Sequence, residues 1–136
     1  MKLNTYLHFN GNCEEALNFY AKALGAKIVM MLRYDEAPVQ CETAKDQLKK
    51  IMHGRITIGD NVIMASDAPP GRVGAPAGFS ININVDTPEE AERLFNALSE
   101  KAEIGMPFGE TFWAKGFGML KDQFGVPWMV NCEKKA

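Results

Sequence analysis

One pattern constrains this chain more than any other: a strand, a helix and three further strands, followed by the same series again. In the first copy, Leu3, Thr5, Leu7 and Phe9 alternate with Asn4, Tyr6, His8 and Asn10, the period of a strand with one apolar face. Gly11 turns the chain. Asn12 then stands as an N-cap, with Glu15 at the third helical position as in a capping box. Ala16, Phe19, Tyr20 and Ala23 follow at helical spacing, and Gly25 is placed to end the helix. Residues 27–34, 51–59 and 62–66 read as strands, the last two joined by a tight Asp60-Asn61 turn. Between them, residues 35–50 are polar and aperiodic and read as an exposed loop with room for one helical turn.

The second copy restarts at Phe79, where Phe79, Ile81, Ile83 and Val85 alternate with Ser80, Asn82 and Asn84. Thr87-Pro88-Glu89-Glu90 is a strong helix start, and Ala91, Leu94, Phe95 and Leu98 form the stripe that this helix buries. Residues 103–108 predict another strand. The segment ETFWAKGFGMLKDQFGVPWMVN, residues 110–131, supplies two more, with a turn near Asp122 to Gly125. The copies echo each other in detail: Glu14-Glu15-Ala16 against Glu89-Glu90-Ala91, and Val62-Ile63-Met64 against Pro127-Trp128-Met129. Repeated supersecondary units share a core. The expectation is therefore an α+β chain of two βαβββ modules in one domain: residues 1–67, a Pro/Gly-rich linker over 68–78, and residues 79–136. If both sheets curl, their helix-free faces enclose a hollow.

The rest of the composition mainly excludes. A net charge of −2 with no basic run argues against nucleic acid and anionic membrane surfaces as partners. No apolar run is long enough to span a bilayer, and the N-terminus has no apolar core of a signal peptide. The three cysteines, Cys13, Cys41 and Cys132, match no zinc or redox spacing, so packed free thiols in a reducing cytoplasm are expected.

The stretches YLHFNGNCEEALNFY (6–20), GRITIGDNVIMASDAPPG (54–71) and ETFWAKGFGMLKDQFGVPWMVN (110–131) resemble the vicinal-oxygen-chelate superfamily, and within it the PhnB-like branch. That superfamily holds glyoxalase I, extradiol dioxygenases, and bleomycin and fosfomycin resistance proteins. The resemblance implies a curled eight-stranded sheet around a cavity, and a homodimer. Some members of the branch carry a ubiquinone-methyltransferase label, but no glycine-rich strand–loop–helix for S-adenosylmethionine stands near the start.

Laid onto this chain, the ligand positions of the superfamily's metal enzymes are His8, Met64, Ser80 and Met129. Only His8 is a usual ligand for a hard cation, whereas a catalytic divalent ion takes about three from His, Asp and Glu. No cofactor is therefore expected. The alternative, a divalent metal enzyme of glyoxalase or dioxygenase type, would need a set such as His8, His53 and Glu110, or Asp67 swung inward.

Each remaining candidate carries two readings. His8, beside Tyr6, is a hydrogen-bonded wall residue in preference to a metal ligand. Arg55 binds an anion or carbonyl with His53 as acid or base, or the two form a surface or dimer-interface pair. Ser80, Asn82 and Asn84 hydrogen-bond a polar ligand or water, or lie on a solvated face. Glu110 is the candidate acid/base carboxylate, or a solvated turn residue. Trp113, Phe117 and Trp128 contact ligand, or pack a core or dimer. Together with Met64 and Met129 these residues predict a cavity for a small polar or aromatic metabolite or drug. The third possibility is a dimeric interaction module without catalysis.

Overall fold

The computed structural model describes residues 1–38, 43 and 45–134. The elements are β1 (Thr5–Phe9), α1 (Cys13–Leu24), β2 (Lys27–Arg33), β3 (Ile51–Ile58), β4 (Asn61–Asp67), β5 (Ile81–Asn84), α2 (Pro88–Leu98), β6 (Glu103–Gly109), β7 (Ala114–Lys121) and β8 (Pro127–Glu133). This is the βαβββ series twice, as the repeat predicts. Among its described residues, the loop expected over 35–50 is flanked or filled by two single 3-10 turns, Tyr34–Glu36 and Lys45–Gln47. Cys41 lies outside the described residues.

The chain divides into two compact units, Met1–Gly74 and Ala75–Ala136. The eight strands form two four-stranded sheets, ordered β1-β4-β3-β2 and β5-β8-β7-β6, rather than one hydrogen-bonded sheet of eight. In each, the first strand runs parallel to the last and the remaining pairs are antiparallel. The segment after β4 is tied to the first unit: Ala68 N–H donates to the Phe9 carbonyl at 2.7 Å, and Asn10 Nδ2 to the Val73 carbonyl at 2.8 Å.

Register fixes the correspondence between the units. Gly54 lies opposite Ala65 and Arg55 opposite Met64 in the first, and Gly118 lies opposite Val130 and Met119 opposite Met129 in the second. Gly54 and Gly118 mark the side on which each helix packs. A Cβ at Gly54 would come within 2.5 Å of Leu17 Cδ1 on α1, and one at Gly118 within 2.5 Å of Phe95 Cε2 on α2. Only glycine lets the helices sit this close. The apolar residues beneath are buried accordingly: Leu7, Phe9, Leu17, Tyr20 and Ile56 in the first unit, and Leu94, Phe95, Leu98, Val126, Trp128 and Val130 in the second.

The second helix starts as predicted. Thr87 Oγ1 accepts from Glu90 N–H at 3.2 Å, and Pro88 stands in the first turn. The first does not. Asn12 makes no side-chain cap and Glu15 closes no box. The buried carboxylate of Asp67, at the end of β4, takes over the task. Its Oδ1 accepts from Gly11 N–H and Cys13 N–H, both at 2.9 Å, and its Oδ2 from Ile51 N–H at 2.9 Å. One side chain thus ties the turn before α1 to the start of β3. Gly25 ends α1 with φ 68, and its N–H donates to the Ala21 carbonyl, as expected.

Candidate functional site

Side chains on the helix-free face of each sheet follow from strand parity. In the first unit, Tyr6 and His8 of β1, Met64 of β4, and His53 and Arg55 of β3 stand opposite the helix-packed positions Leu7, Ala65 and Gly54. They form one cluster. Tyr6 Oη and His53 Nδ1 are 3.0 Å apart. The Tyr6 ring lies 5.0 Å from that of His8 and 5.6 Å from that of His53. Arg55 Nη2 approaches Met64 Sδ at 3.6 Å, and Met30 of β2 continues the row beside Arg55. Arg55 and His8 are exposed and His53 is half-buried. The cluster offers a planar cation, a phenol–imidazole pair that can donate or accept, and adaptable thioether surface. The sequence paired Tyr6 with His8 and His53 with Arg55; the strand register sets both pairs beside Met64. The Tyr6–His53 hydrogen bond is an addition.

In the second unit, Asn82, Met129, Met119 and Met106 form a row across β5, β8, β7 and β6. Asn84, Asn131 and Phe117 form the next row. Trp113 packs edge-on against Phe117 with ring centroids 5.3 Å apart, and Phe112 packs against Trp113 at 4.8 Å. Asn131 Nδ2 donates to Asn84 Oδ1 at 3.1 Å. Asn131 was missed by sequence reasoning. Its signal was parity: it follows Met129 by two residues on the same strand.

Several expectations need correction. Trp128 does not share a face with Met129, because neighbours on a strand point to opposite sides. It is 1% exposed, lies on the α2 side with Val130, and its Nε1–H donates to Asp122 Oδ2 at 2.8 Å. Asp122 is more than a turn residue: its Oδ1 also accepts from Phe124 N–H at 2.8 Å and Val126 N–H at 3.0 Å. Ser80 precedes β5, and the residue beside Met129 is Asn82; likewise the neighbour of Met64 is Tyr6, while His8 pairs with Ser66. Glu110 follows β6 with its side chain 71% exposed, 3.7 Å from Lys134 Nζ. Asp67 cannot turn to a metal without releasing three backbone N–H groups. Among the described residues, no three side chains from His, Cys, Asp and Glu converge as a metal site.

Of the cysteines, Cys13 and Cys132 are buried free thiols, as expected of packed residues. Burial, then the charges of Asp67 and Glu14, push the Cys13 thiol far above its ordinary range.

A family profile described as 3-demethylubiquinone-9 3-methyltransferase matches residues 1–131. Protein PA1353 from Pseudomonas aeruginosa has a crystal structure similar to this one, at 47% identity, 99% coverage of both chains and a TM-score of 0.91. The structure of a putative 3-demethylubiquinone-9 3-methyltransferase, PhnB protein, from Bacillus cereus matches at 30% identity over 97% of this chain and 99% of that one, with a TM-score of 0.79. A glyoxylase/bleomycin resistance protein/dioxygenase domain from Frankia sp. EAN1pec shares the fold alone, at 11% identity, 98% coverage of both chains and a TM-score of 0.70. With its repeated βαβββ units and a match over nearly its whole length, the chain belongs to the PhnB-like family described as 3-demethylubiquinone-9 3-methyltransferase, and it shares its fold with the glyoxylase/bleomycin resistance protein/dioxygenase domain.

Proposed function

We propose that this chain binds a small polar or aromatic metabolite or drug on its methionine-bearing, helix-free sheet faces, with Trp113 at the edge of the second, as a cytoplasmic homodimer and without a catalytic metal. The observation that carries the reading is the make-up of those faces. Where a metal enzyme of this superfamily needs carboxylate and imidazole donors, Met64 stands beside Tyr6 and Met129 beside Asn82. Zinc, manganese and magnesium favour imidazole and oxygen ligands, whereas thioether sulfur selects soft ions such as copper(I). The donor set therefore does not fit a hard divalent cation.

The same residues suit an organic ligand. Arg55 can hold a carboxylate or phosphate in a two-pronged contact. The Tyr6–His53 pair can receive a carbonyl or hydroxyl. Trp113 and Phe117 offer aromatic faces, and the methionines adapt to shape. Methyl transfer, named in the family's description, calls for a glycine-rich cradle between strand and helix. The two strand-to-helix turns, Asn10-Gly11-Asn12 and Val85-Asp86-Thr87, hold one glycine between them. Methyl transfer is accordingly outside the reading. No helix among the described residues is long and apolar enough to cross a membrane.

The test is a fluorescence titration with a panel of bicyclic heteroaromatics, indole, quinoline and coumarin carboxylates among them. Binding on the second sheet's face changes the emission of Trp113; binding on the first sheet's face is read by calorimetry, and there Arg55→Ala weakens the carboxylate-bearing members at least fivefold, the worth of about 1 kcal/mol. If Trp113→Phe and Phe117→Leu both leave affinity within twofold, as read by calorimetry, the aromatic face is scaffold and the reading fails.

A further inference from the structure

Asn131 is an unusual residue to find where it is. It is 7% exposed, and its Oδ1 is buried without a hydrogen-bond partner, the one such side-chain atom among the described residues. Buried amide oxygens are nearly always paired, and each exception calls for a reason. Asn84 cannot supply the missing donor as the two amides are set, because its Oδ1 already accepts from Asn131 Nδ2 at 3.1 Å. The position faces away from α2 and lies opposite Phe117 on β7. Three features meet at this point. They are an acceptor with no donor, an exposed amide at Asn84 beside it, and the edge-on Phe112–Trp113–Phe117 aromatic cluster on the adjoining strand and its loop.

We infer that Asn131, with Asn84, is the polar subsite of the second sheet's helix-free face, and that it takes a hydrogen-bond donor carried by a planar aromatic or heteroaromatic ligand such as a lactam or an anilide. This deepens the ligand-binding reading above and rests on it. Trp113, 41% exposed, packs edge-on against Phe117, the cross-strand neighbour of Asn131, so a planar ligand that takes the place of Trp113 against Phe117 lies on the same face as Asn131 Oδ1. The subsite discriminates by donor. A ligand with the N–H masked leaves the amide oxygen unpaired and loses affinity, whereas one that carries it completes the pair.

The probes are 2-quinolinone and its N-methyl derivative, matched in shape and differing in the one donor. Side-chain amide resonances of Asn131 and Asn84 and the emission of Trp113 are followed together, in the wild type and in Asn131→Leu. The inference predicts that 2-quinolinone shifts both amides and binds at least about fivefold more tightly than the N-methyl compound. In Asn131→Leu that preference vanishes while the N-methyl compound still binds. It also predicts that Asn131→Leu melts about 2–4 °C higher than the wild type when unliganded, because an orphaned acceptor is removed. Equal affinity of the two probes for the wild type, with Trp113 responding to both, overturns the subsite but leaves the aromatic binding face standing. No response from Trp113 or Asn131 to either probe overturns both. A lower melting temperature for Asn131→Leu marks Asn131 as a structural residue and likewise overturns the inference.

Discussion

Replacing Asp67 by asparagine tests whether the buried carboxylate is architecture or a chemical group held in reserve. In the wild type it accepts three backbone N–H groups, from Gly11, Cys13 and Ile51, each at 2.9 Å. An asparagine amide has one oxygen and one NH2. With its oxygen kept on Gly11 and Cys13, its NH2 points at the buried Ile51 N–H, two donors face to face. A charge-assisted hydrogen bond is lost and a buried donor is orphaned, together about 3 kcal/mol. For a domain of this length the melting temperature falls by about 10 °C. Amide exchange should accelerate first at Gly11, Cys13 and Ile51, ahead of global unfolding. Asn12→Ala is the contrast: its side chain makes no cap, so the loss stays under about 0.5 kcal/mol instead of the roughly 1 kcal/mol of a working N-cap. Calorimetric melts of the three proteins decide. If Asp67→Asn melts within about 2 °C of the wild type, or Asn12→Ala loses more than it does, the assignment of the cap to Asp67 is wrong.

Further outcomes follow from the same geometry. Trp128→Phe deprives the buried Asp122 carboxylate of one of its donors and costs about 2 kcal/mol in urea unfolding, with loss of a blue-shifted emission that acrylamide does not quench; a solvent-quenched Trp128 would contradict its place in the core. Gly118→Ala drives a methyl into Phe95 and destabilises by about 2 kcal/mol, whereas Gly74→Ala, which meets nothing, stays near neutral; equal effects would refute the close approach of α2. Cys13 keeps its proton in the folded state at pH values where the unfolded chain loses it. Its contribution is therefore fully present below the unfolded value of 9.0 and declines as pH rises above it. In a Cys13→Ala background the alkaline slope of stability should flatten, and native Cys13 should resist thiol reagents at pH 8.

The repeat made the fold legible. Strand alternation at Leu3–Phe9, the Thr87-Pro88 helix start, and the Gly25 terminus are local signals, and local physics determined them. The α1 cap was not local. It comes from a residue 54 positions downstream of Cys13, which no capping rule can reach, so Asn12 looked sufficient. Trp128 was misread for a different reason. The pairing of Val62-Ile63-Met64 with Pro127-Trp128-Met129 already set Trp128 against Ile63, whose cross-strand partner Ile56 is buried under α1. Strand parity alone therefore separates Trp128 from Met129. Aromatic character suggested a ligand contact, and the two-residue period outweighed it. Tyr6 with His8 and His53 with Arg55 were readable as face pairs from alternation on their own strands; that the two pairs meet beside Met64 depends on the strand register. Glu110 carried two readings, acid/base carboxylate or solvated turn residue, and at a strand end, exposed beside Lys134, it fits the second. Asn131 went unnoticed because an orphaned acceptor exists only once neighbouring strands fix what can reach it.

The claim at the centre is that methionine, tyrosine and asparagine on the helix-free faces favour an organic molecule over a hard cation. Elemental analysis of untagged protein, purified without chelator and dialysed against metal-free buffer, tests it most directly. Fewer than one tightly held divalent ion per chain is the predicted result. Stoichiometric zinc, nickel or manganese, retained through dialysis and lost on His8→Ala or His53→Ala, would contradict it.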